Sequence, residues 1–236
     1  MIDFQQSGQV ARLTINSPAT GNRFTYQIML DFIAALEQAA QSDATVLVIS
    51  AQGDDFTLGR DQKEQLPHVS RRDNLGLILR ANAALRSFPG VSIALINGRA
   101  LGFGTGLALH SAISIAAADA TLGFDEIVHN LAPLVVVAYL PYFIAPRVAD
   151  ELVLTGRPVA AEEAQRIGLV TRVVPSASLR QAGEELVERL SGHSAGALKL
   201  IRQFAGEGNG SKRYPDAERS QQAVEQLVQW LEAGRP

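Results

Sequence analysis

The sequence predicts an α/β fold in which parallel strands alternate with helices. Three observations predict it. Apolar runs at residues 10–15, 46–50 and 91–96 read as strands. Amphipathic helical stretches separate them, so neighbouring strands run parallel and helices cover the sheet. From residue 178 onward the pattern is helical throughout.

Residues 10–15 alternate apolar and polar side chains, as a strand with one solvated face does. Asn16, Ser17, Pro18, Gly21 and Asn22 make a turn region. Thr25 is placed to cap a helix reaching Gln41, with Ile28, Phe32, Leu36 and Ala39 on one face. Residues 46–50 form a continuous run rich in β-branched residues, the mark of a fully buried strand. Residues 52–61 read as a loop holding Gly53 and Gly59, and a polar stretch to Asp73 reads as a candidate mobile loop. Leu75, Ile78, Leu79, Asn82, Leu85 and Phe88 mark a helix that Pro89-Gly90 ends.

Beyond the third strand the apolar pattern resumes over residues 107–118, as a helix or a helix followed by a strand. Residues 121–127 are short and mixed. Helices are read at 132–145, opened by Pro133, at 149–154, and at 161–167, closed by Gly168; residues 169–174 are a strand. The C-terminal stripes are Leu179, Ala182, Leu186 and Leu190, then Leu198 and Ile201, then Val224, Leu227, Val228 and Leu231. Residues 206–215 break the last two helices. The chain divides into an α/β core over residues 1–177 and a helical portion over 178–236, whose stripes need a partner surface.

Composition narrows the function classes. The net charge of −3, with no Lys/Arg run, gives nothing to hold a nucleic-acid backbone. The absence of cysteine removes thiolate chemistry and disulfides, and four scattered histidines lack metal-ligand spacing, so no metal is expected. No signal peptide is read at the N-terminus, and the longest apolar run, residues 131–146, is too short to span a bilayer and is broken by prolines. The expectation is a cytoplasmic protein without nucleic-acid or membrane partners.

The chemistry concentrates after the third strand, where Asn97-Gly98 is followed by Gly102, Gly104 and Gly106. A helix opening near Gly104 would offer unpaired amides and a positive dipole end to a phosphate or to a carbonyl oxygen gaining charge. A dinucleotide fingerprint fits poorly, because its last glycine place holds Leu107. A tight helix–strand crossing without a ligand is the plain alternative. A second glycine loop weighs against it: Asp55 to Asp61 follows the second strand as Asn97 to Gly106 follows the third. In a parallel sheet both loops leave the same edge, and one backbone N–H from each can meet at one oxygen.

At these residues the sequence resembles the enoyl-CoA hydratase/isomerase, or crotonase, superfamily. The matching stretches are residues 54–64 (DDFTLGRDQKE), 96–108 (INGRALGFGTGLA), 122–127 (LGFDEI) and 152–175 (LVLTGRPVAAEEAQRIGLVTRVVP). The resemblance implies a spiral of ββα turns with a C-terminal helical portion that builds trimers, often paired as hexamers. It implies an acyl-CoA substrate, no cofactor beyond the coenzyme A of the substrate, and a two-amide oxyanion hole. By position those amides belong to Arg60 and Phe103, with Leu58, Gly59, Asp61, Gly102, Gly104 and Leu134 around the substrate. Phe103 stands where the family usually has glycine, and its bulk would narrow the acyl pocket or alter the backbone angle; Gly104 is the alternative donor.

The family's hydratases use two glutamates, and the resemblance places the first at Gly106 and the second at Glu126. Gly106 transfers no proton. Apolar neighbours Phe124, Ile127 and Val128 favour a raised pKa for Glu126. One base suffices to shift a double bond, whereas adding water asks for two groups. The expectation is therefore isomerisation through Glu126. Hydration, thioester hydrolysis or C–C cleavage, and a non-catalytic acyl-CoA-binding role, are the alternatives. Asp125 reads as a second pocket acid or a turn residue, His110 as a buried hydrogen-bonded histidine, and His129 as a partner for Glu126 or a surface residue. Asp61 reads as a brace for the loop, and the Arg60 side chain as reaching a phosphate or the pocket entrance. Apolar residues 134–137 argue against dehalogenase-like chemistry and for an alkyl or alicyclic acyl group.

Overall fold

The structure is a computed structural model that describes residues 1–207 and 217–233. Among them, six strands form one sheet in the order β1 (Ile2–Ser7), β2 (Val10–Ile15), β3 (Val46–Ala51), β4 (Val91–Ile96), β6 (Ile113–Ala117) and β9 (Arg172–Val174). A smaller sheet joins β5 (Arg99–Leu101), β7 (Thr121–Gly123) and β8 (Val159–Ala160). In the large sheet, β1 runs antiparallel to β2 and every other pair is parallel.

The two sheets are built from one repeated move. The chain lays β4 in the large sheet, crosses to place β5 in the small one, then enters a helix, α3 (Phe103–His110). It repeats this with β6 and β7 and then turns into a short 3-10 segment, Glu126–His129. These are the ββα turns expected of the fold. Strand β1 is the one large-sheet strand that the sequence pattern did not mark, since its Gln5, Gln6 and Ser7 are exposed at the sheet edge.

Helix α1 (Tyr26–Gln41) begins at the Thr25 cap that the sequence marks, whereas α2 (Arg71–Ser87) opens after Ser70, within the polar stretch to Asp73 that the sequence reads as a loop. The amide of Ile28 donates to the Thr25 hydroxyl at 3.2 Å, and that of Asp73 to the Ser70 hydroxyl at 3.0 Å. Helix α1 buries Met29, Phe32, Ile33, Leu36 and Ala39. Large side chains sealed in the core include Phe24, Phe32, Phe56 and Phe124. Each is worth roughly 1.5–3 kcal/mol over its exposed state.

The stretch read as one helix over residues 132–145 is divided. Helix α4 (Leu134–Tyr139) gives way to a 3-10 turn at Leu140–Tyr142, where Pro141 has no amide to continue the ladder. Helix α5 (Pro146–Thr155) and α6 (Ala161–Ile167) follow, the latter closed by Gly168 in the left-handed conformation.

The helical portion is α7 (Leu179–Ser191), α8 (Ala195–Glu207) and α9 (Ala217–Glu232). Its breaking segment runs into residues 208–216, which lie outside the described residues. Helix α7 packs on β4 and β6, and α9 packs on α4 and α2, where Arg72 and Glu225 pair at 2.7 Å. The Val224–Leu227–Val228 stripe is thus buried within the same chain. Helix α8 differs: Leu200, Ile201 and Phe204 are 66%, 64% and 72% exposed.

Candidate active site

Adjacent parallel strands β3 and β4 send their loops out at one edge, and the loops are stitched together. Phe56 donates its amide to Asn97 O at 2.9 Å, Thr57 to Arg99 O at 3.0 Å, and Leu101 to Thr57 O at 3.0 Å. The Asp55 carboxylate grips Arg99 through Nε at 2.7 Å and Nη2 at 2.8 Å, which holds the Asp55 pKa below its ordinary value. Below them the buried Thr57 hydroxyl donates to Asn22 O at 2.7 Å and accepts from the Gly59 amide at 3.0 Å. Phe24 adds a third strand-like edge, donating to Gly59 O and accepting from Asp61 N, both at 2.9 Å.

This stitching brings Gly59 against the head of α3. A Cβ on Gly59, whose φ is +79°, would lie 2.9 Å from Leu101 O and 3.7 Å from the Phe103 amide nitrogen. Only a residue without a side chain permits that approach. Phe103 is the first residue of α3, so its N–H has no partner within the helix. Neither its amide nor that of Arg60 hydrogen-bonds to another group among the described residues.

The helix opens at Phe103 rather than at Gly104, one residue earlier than the sequence suggests. The Phe103 side chain points into the core, edge-on to Phe24 at 4.9 Å and Phe32 at 6.2 Å. Its bulk therefore fills space beneath α1, not space beside the amide. Gly104 is buried, and a Cβ there would meet Thr57 Cγ2 at 2.6 Å. Thr105 ties the helix to β5 and β7 of the small sheet: its hydroxyl lies 2.6 Å from Ala100 O and 3.0 Å from Gly123 O and N.

Glu126 comes to the same place from β7. After Gly123 and the sealed Phe124, the chain turns through Asp125 into the 3-10 segment that begins with Glu126. A Cβ on Gly102 would lie 2.8 Å from Glu126 Oε1, so the carboxyl rests directly over the residue preceding Phe103. Glu126 is half-buried as a residue, but its Oε2 is sealed and has no hydrogen-bond partner among the described residues. Burial pushes its pKa up to about 7; its own backbone N–H opposes this, and the neighbouring Asp125 charge adds to the rise.

Tyr139 completes the wall. A Cβ on Gly106 would lie 3.0 Å from the Tyr139 hydroxyl oxygen. The ring is buried and stacks edge-on to His110 at 4.9 Å. Burial first, and then the Glu126 charge, raise the phenol pKa. Nothing in the sequence singled this tyrosine out, because it lies beyond the quoted motifs.

The remaining candidate residues fall around this centre. The Leu58 side chain turns onto Gly21, whose Cβ it would contact at 2.5 Å. Asp61 accepts from the Lys63 amide at 2.9 Å, closing its own loop. The Arg60 guanidinium donates to Thr25 O at 3.2 Å and to Asn74 Oδ1, tying the loop to α1 and α2 rather than reaching an entrance. Its burial lowers its pKa to about 10. His129 lies 3.2 Å from Asp125 Oδ2 and pairs with that acid, not with Glu126. Leu134 is half-buried at the start of α4. His110 is sealed, and burial, then the nearby Arg86 charge, lowers its pKa well below the ordinary value. No group of three or more His, Asp or Glu with metal-binding proximity occurs among the described residues, and none of their helices is long and apolar enough to cross a membrane.

Comparison with known proteins gives one consistent result. The family model described as enoyl-CoA hydratase/isomerase matches residues 5–229. A probable enoyl-CoA hydratase of Mycobacterium bovis is 32% identical over 206 residues, covering 82% of this chain and 72% of that protein. The 2,3-dehydroadipyl-CoA hydratase of Escherichia coli is 29% identical over 201 residues, with 83% and 77% covered. The crystal structure of a probable enoyl-CoA hydratase from Mycobacterium thermoresistibile superposes with a TM-score of 0.86 at 25% identity, over 99% of this chain and 97% of that one.

Proposed function

The chain belongs to the enoyl-CoA hydratase/isomerase family, and from that premise we propose that it moves a proton beside the carbonyl of an acyl-CoA thioester, with Glu126 as the base. The observation that carries this reading is the Glu126 carboxyl. Its Oε2 is buried, burial raises its pKa to about 7, and it lies over Gly102, the residue before Phe103, whose amide has no hydrogen-bond partner among the described residues. A base with that pKa is about half ionised at neutral pH and still accepts a proton readily.

On this reading the thioester oxygen receives the N–H groups of Arg60 and Phe103. Each such donor typically supplies roughly 3–4 kcal/mol toward an enolate. Glu126 takes a proton from the carbon next to the carbonyl, and the electron pair moves onto the oxygen. With a 3-enoyl thioester the pair delocalises through the double bond. The protonated Glu126 returns the same proton two carbons further on, leaving the 2-enoyl thioester. Double-bond isomerisation is favoured over hydration because Gly106 gives the site no second carboxylate.

Hydration is the second reading. The relatives carry hydratase names, and the Tyr139 hydroxyl stands above Gly106, where it would hold water or pass a proton. Solvent deuterium exchange into butyryl-CoA and 3-hexenoyl-CoA, with wild type beside Glu126→Gln, tests the base. Exchange lost in the variant supports Glu126; exchange retained refutes it. Crotonyl-CoA hydration as fast as isomerisation of 3-hexenoyl-CoA would replace the first reading by the second.

The exposed apolar residues Leu200, Ile201 and Phe204 on α8 support self-association of this chain as trimers or paired trimers through the segment beginning at residue 178. A cytoplasmic location is part of the same proposal.

A further inference from the structure

The Arg60 N–H belongs to the same peptide unit as the Gly59 carbonyl. In a trans peptide those two groups point in opposite directions. The Gly59 carbonyl accepts from the Phe24 amide at 2.9 Å, so the Arg60 N–H is aimed away from Phe24. On the other side of residue 60, the Asp61 amide donates to the Phe24 carbonyl at 2.9 Å. These two bonds make the parallel bridge between Phe24 and Arg60. They set the direction of the Arg60 N–H. Its distance from a thioester oxygen depends on where the whole strip 59–61 lies.

The Arg60 side chain ties that strip to two helices. Its Nη1 donates to Thr25 O at 3.2 Å, and its Nη2 donates to Asn74 Oδ1. Thr25 is the N-cap of α1, and its carbonyl also accepts from the Met29 amide at 3.0 Å. Asn74 stands in the first turn of α2, where its own amide donates to Ser70 O at 3.0 Å. One guanidinium therefore bridges the openings of α1 and α2. Both acceptors are neutral oxygens, so neither contact is an ion pair. The bridge uses the length and planar fork of arginine, which reaches two acceptors at once, whereas lysine offers a single nitrogen. The guanidinium is partly withdrawn from water: burial lowers its pKa to about 10, against the charges of Glu64 and then Asp61. Glu64 itself accepts from the Tyr26 amide at 2.7 Å, at the head of α1.

We propose that the Arg60 guanidinium and Asn74 are positioning groups for the Arg60 amide, holding strip 59–61 where that N–H and the Phe103 N–H meet one thioester oxygen. The inference rests on the reading of the chain as an acyl-CoA enzyme. Both groups act through the amide and not on the substrate. An oxyanion donor works over a narrow range, about 2.7–3.1 Å. A displacement of about 1 Å costs up to about 100-fold in rate. Phe24 and Thr57 hold the loop independently of Asn74, so releasing Asn74 shifts the strip without unfolding it.

The test follows deuterium exchange into butyryl-CoA, as kcat and KM, together with the 13C resonance of bound butyryl-CoA labelled at its carbonyl. Asn74→Ala and Arg60→Met should each lower kcat by about tenfold or more and change KM by less than about threefold. Both should also move the bound carbonyl resonance back toward that of the free thioester. Asn74→Asp keeps the acceptor oxygen and should restore kcat and resonance together. Wild-type kcat and resonance in Asn74→Ala overturn the proposal, and a lowered urea midpoint in that variant would then show that the bridge serves the fold alone. A loss in Asn74→Ala that Asn74→Asp does not restore overturns it as well. If Arg60→Met fails to fold, the two Asn74 variants decide. If wild type binds butyryl-CoA without exchanging it, the carbonyl resonance decides. If wild type exchanges butyryl-CoA and Asn74→Ala matches it, only this inference falls. If wild type neither binds nor exchanges it, the acyl-CoA reading falls too.

Discussion

The Tyr139 hydroxyl occupies the space above Gly106, 3.0 Å from where a Cβ on that glycine would lie. The missing side chain on α3 is therefore matched by a large one from α4, and the two residues form one packing unit. Gly106→Ala gains helix propensity but compresses this contact. In wild type the two effects should nearly cancel. In a Tyr139→Phe background the compression is relieved, and the same change should stabilise by about 0.5–1 kcal/mol. A thermal double-mutant cycle measures the coupling.

Glu126 makes stability depend on pH. Its folded pKa of about 7 lies above the ordinary 4.5, so the folded state holds a proton that the unfolded chain releases earlier. The associated stability is fully present below pH 4.5 and is lost as pH rises through 7. The loss is at most about 3 kcal/mol. Glu126→Gln should flatten that part of the profile in urea unfolding at pH 5 and pH 8. Thioester proton exchange should run the opposite way in wild type, rising as the base ionises around pH 7.

Gly102→Ala should damage activity more than folding. At φ +50° an alanine is strained, and its Cβ would lie 2.8 Å from Glu126 Oε1. The backbone cost is about 1–3 kcal/mol, while the displaced carboxyl should lower kcat by tenfold or more. Comparable losses in kcat for Gly102→Ala and Gly8→Ala, a glycine with open space around it, would contradict this.

Thr57→Val removes the hydroxyl that serves both Asn22 O and Gly59 N. Those two groups stay buried and lose their partner, which should cost roughly 1–3 kcal/mol. Because Gly59 precedes Arg60, proton exchange should slow beyond what the stability loss explains. Thr57→Ser keeps the hydroxyl and should restore exchange.

Phe204→Glu places a charge among the exposed apolar residues of α8. Sedimentation should show a smaller species than wild type, with the monomer's far-UV spectrum unchanged. An unaltered sedimentation coefficient would remove α8 from the association surface.

By itself the sequence determined the alternation of strands and helices, the Thr25 cap, and the two glycine loops at one sheet edge. These features are legible because local periodicity and capping depend on neighbours a few residues away. The α/β class and the family resemblance followed from them. The weak or short elements were not legible: β1 with its polar exposed end, β5, β7 and β8 with two or three residues each, and the break at Pro141. Their pairing partners lie far along the chain. Tertiary structure alone decided where side chains point. It turned Phe103 into the core, paired His129 with Asp125, drew the Arg60 guanidinium onto Asn74, and set Tyr139 above Gly106. The physical reason is that burial and partner choice depend on surfaces assembled from distant segments. The Glu126 carboxyl shows it most directly: its pKa of about 7 comes from the walls that close around it, while its sequence supplies only the acid.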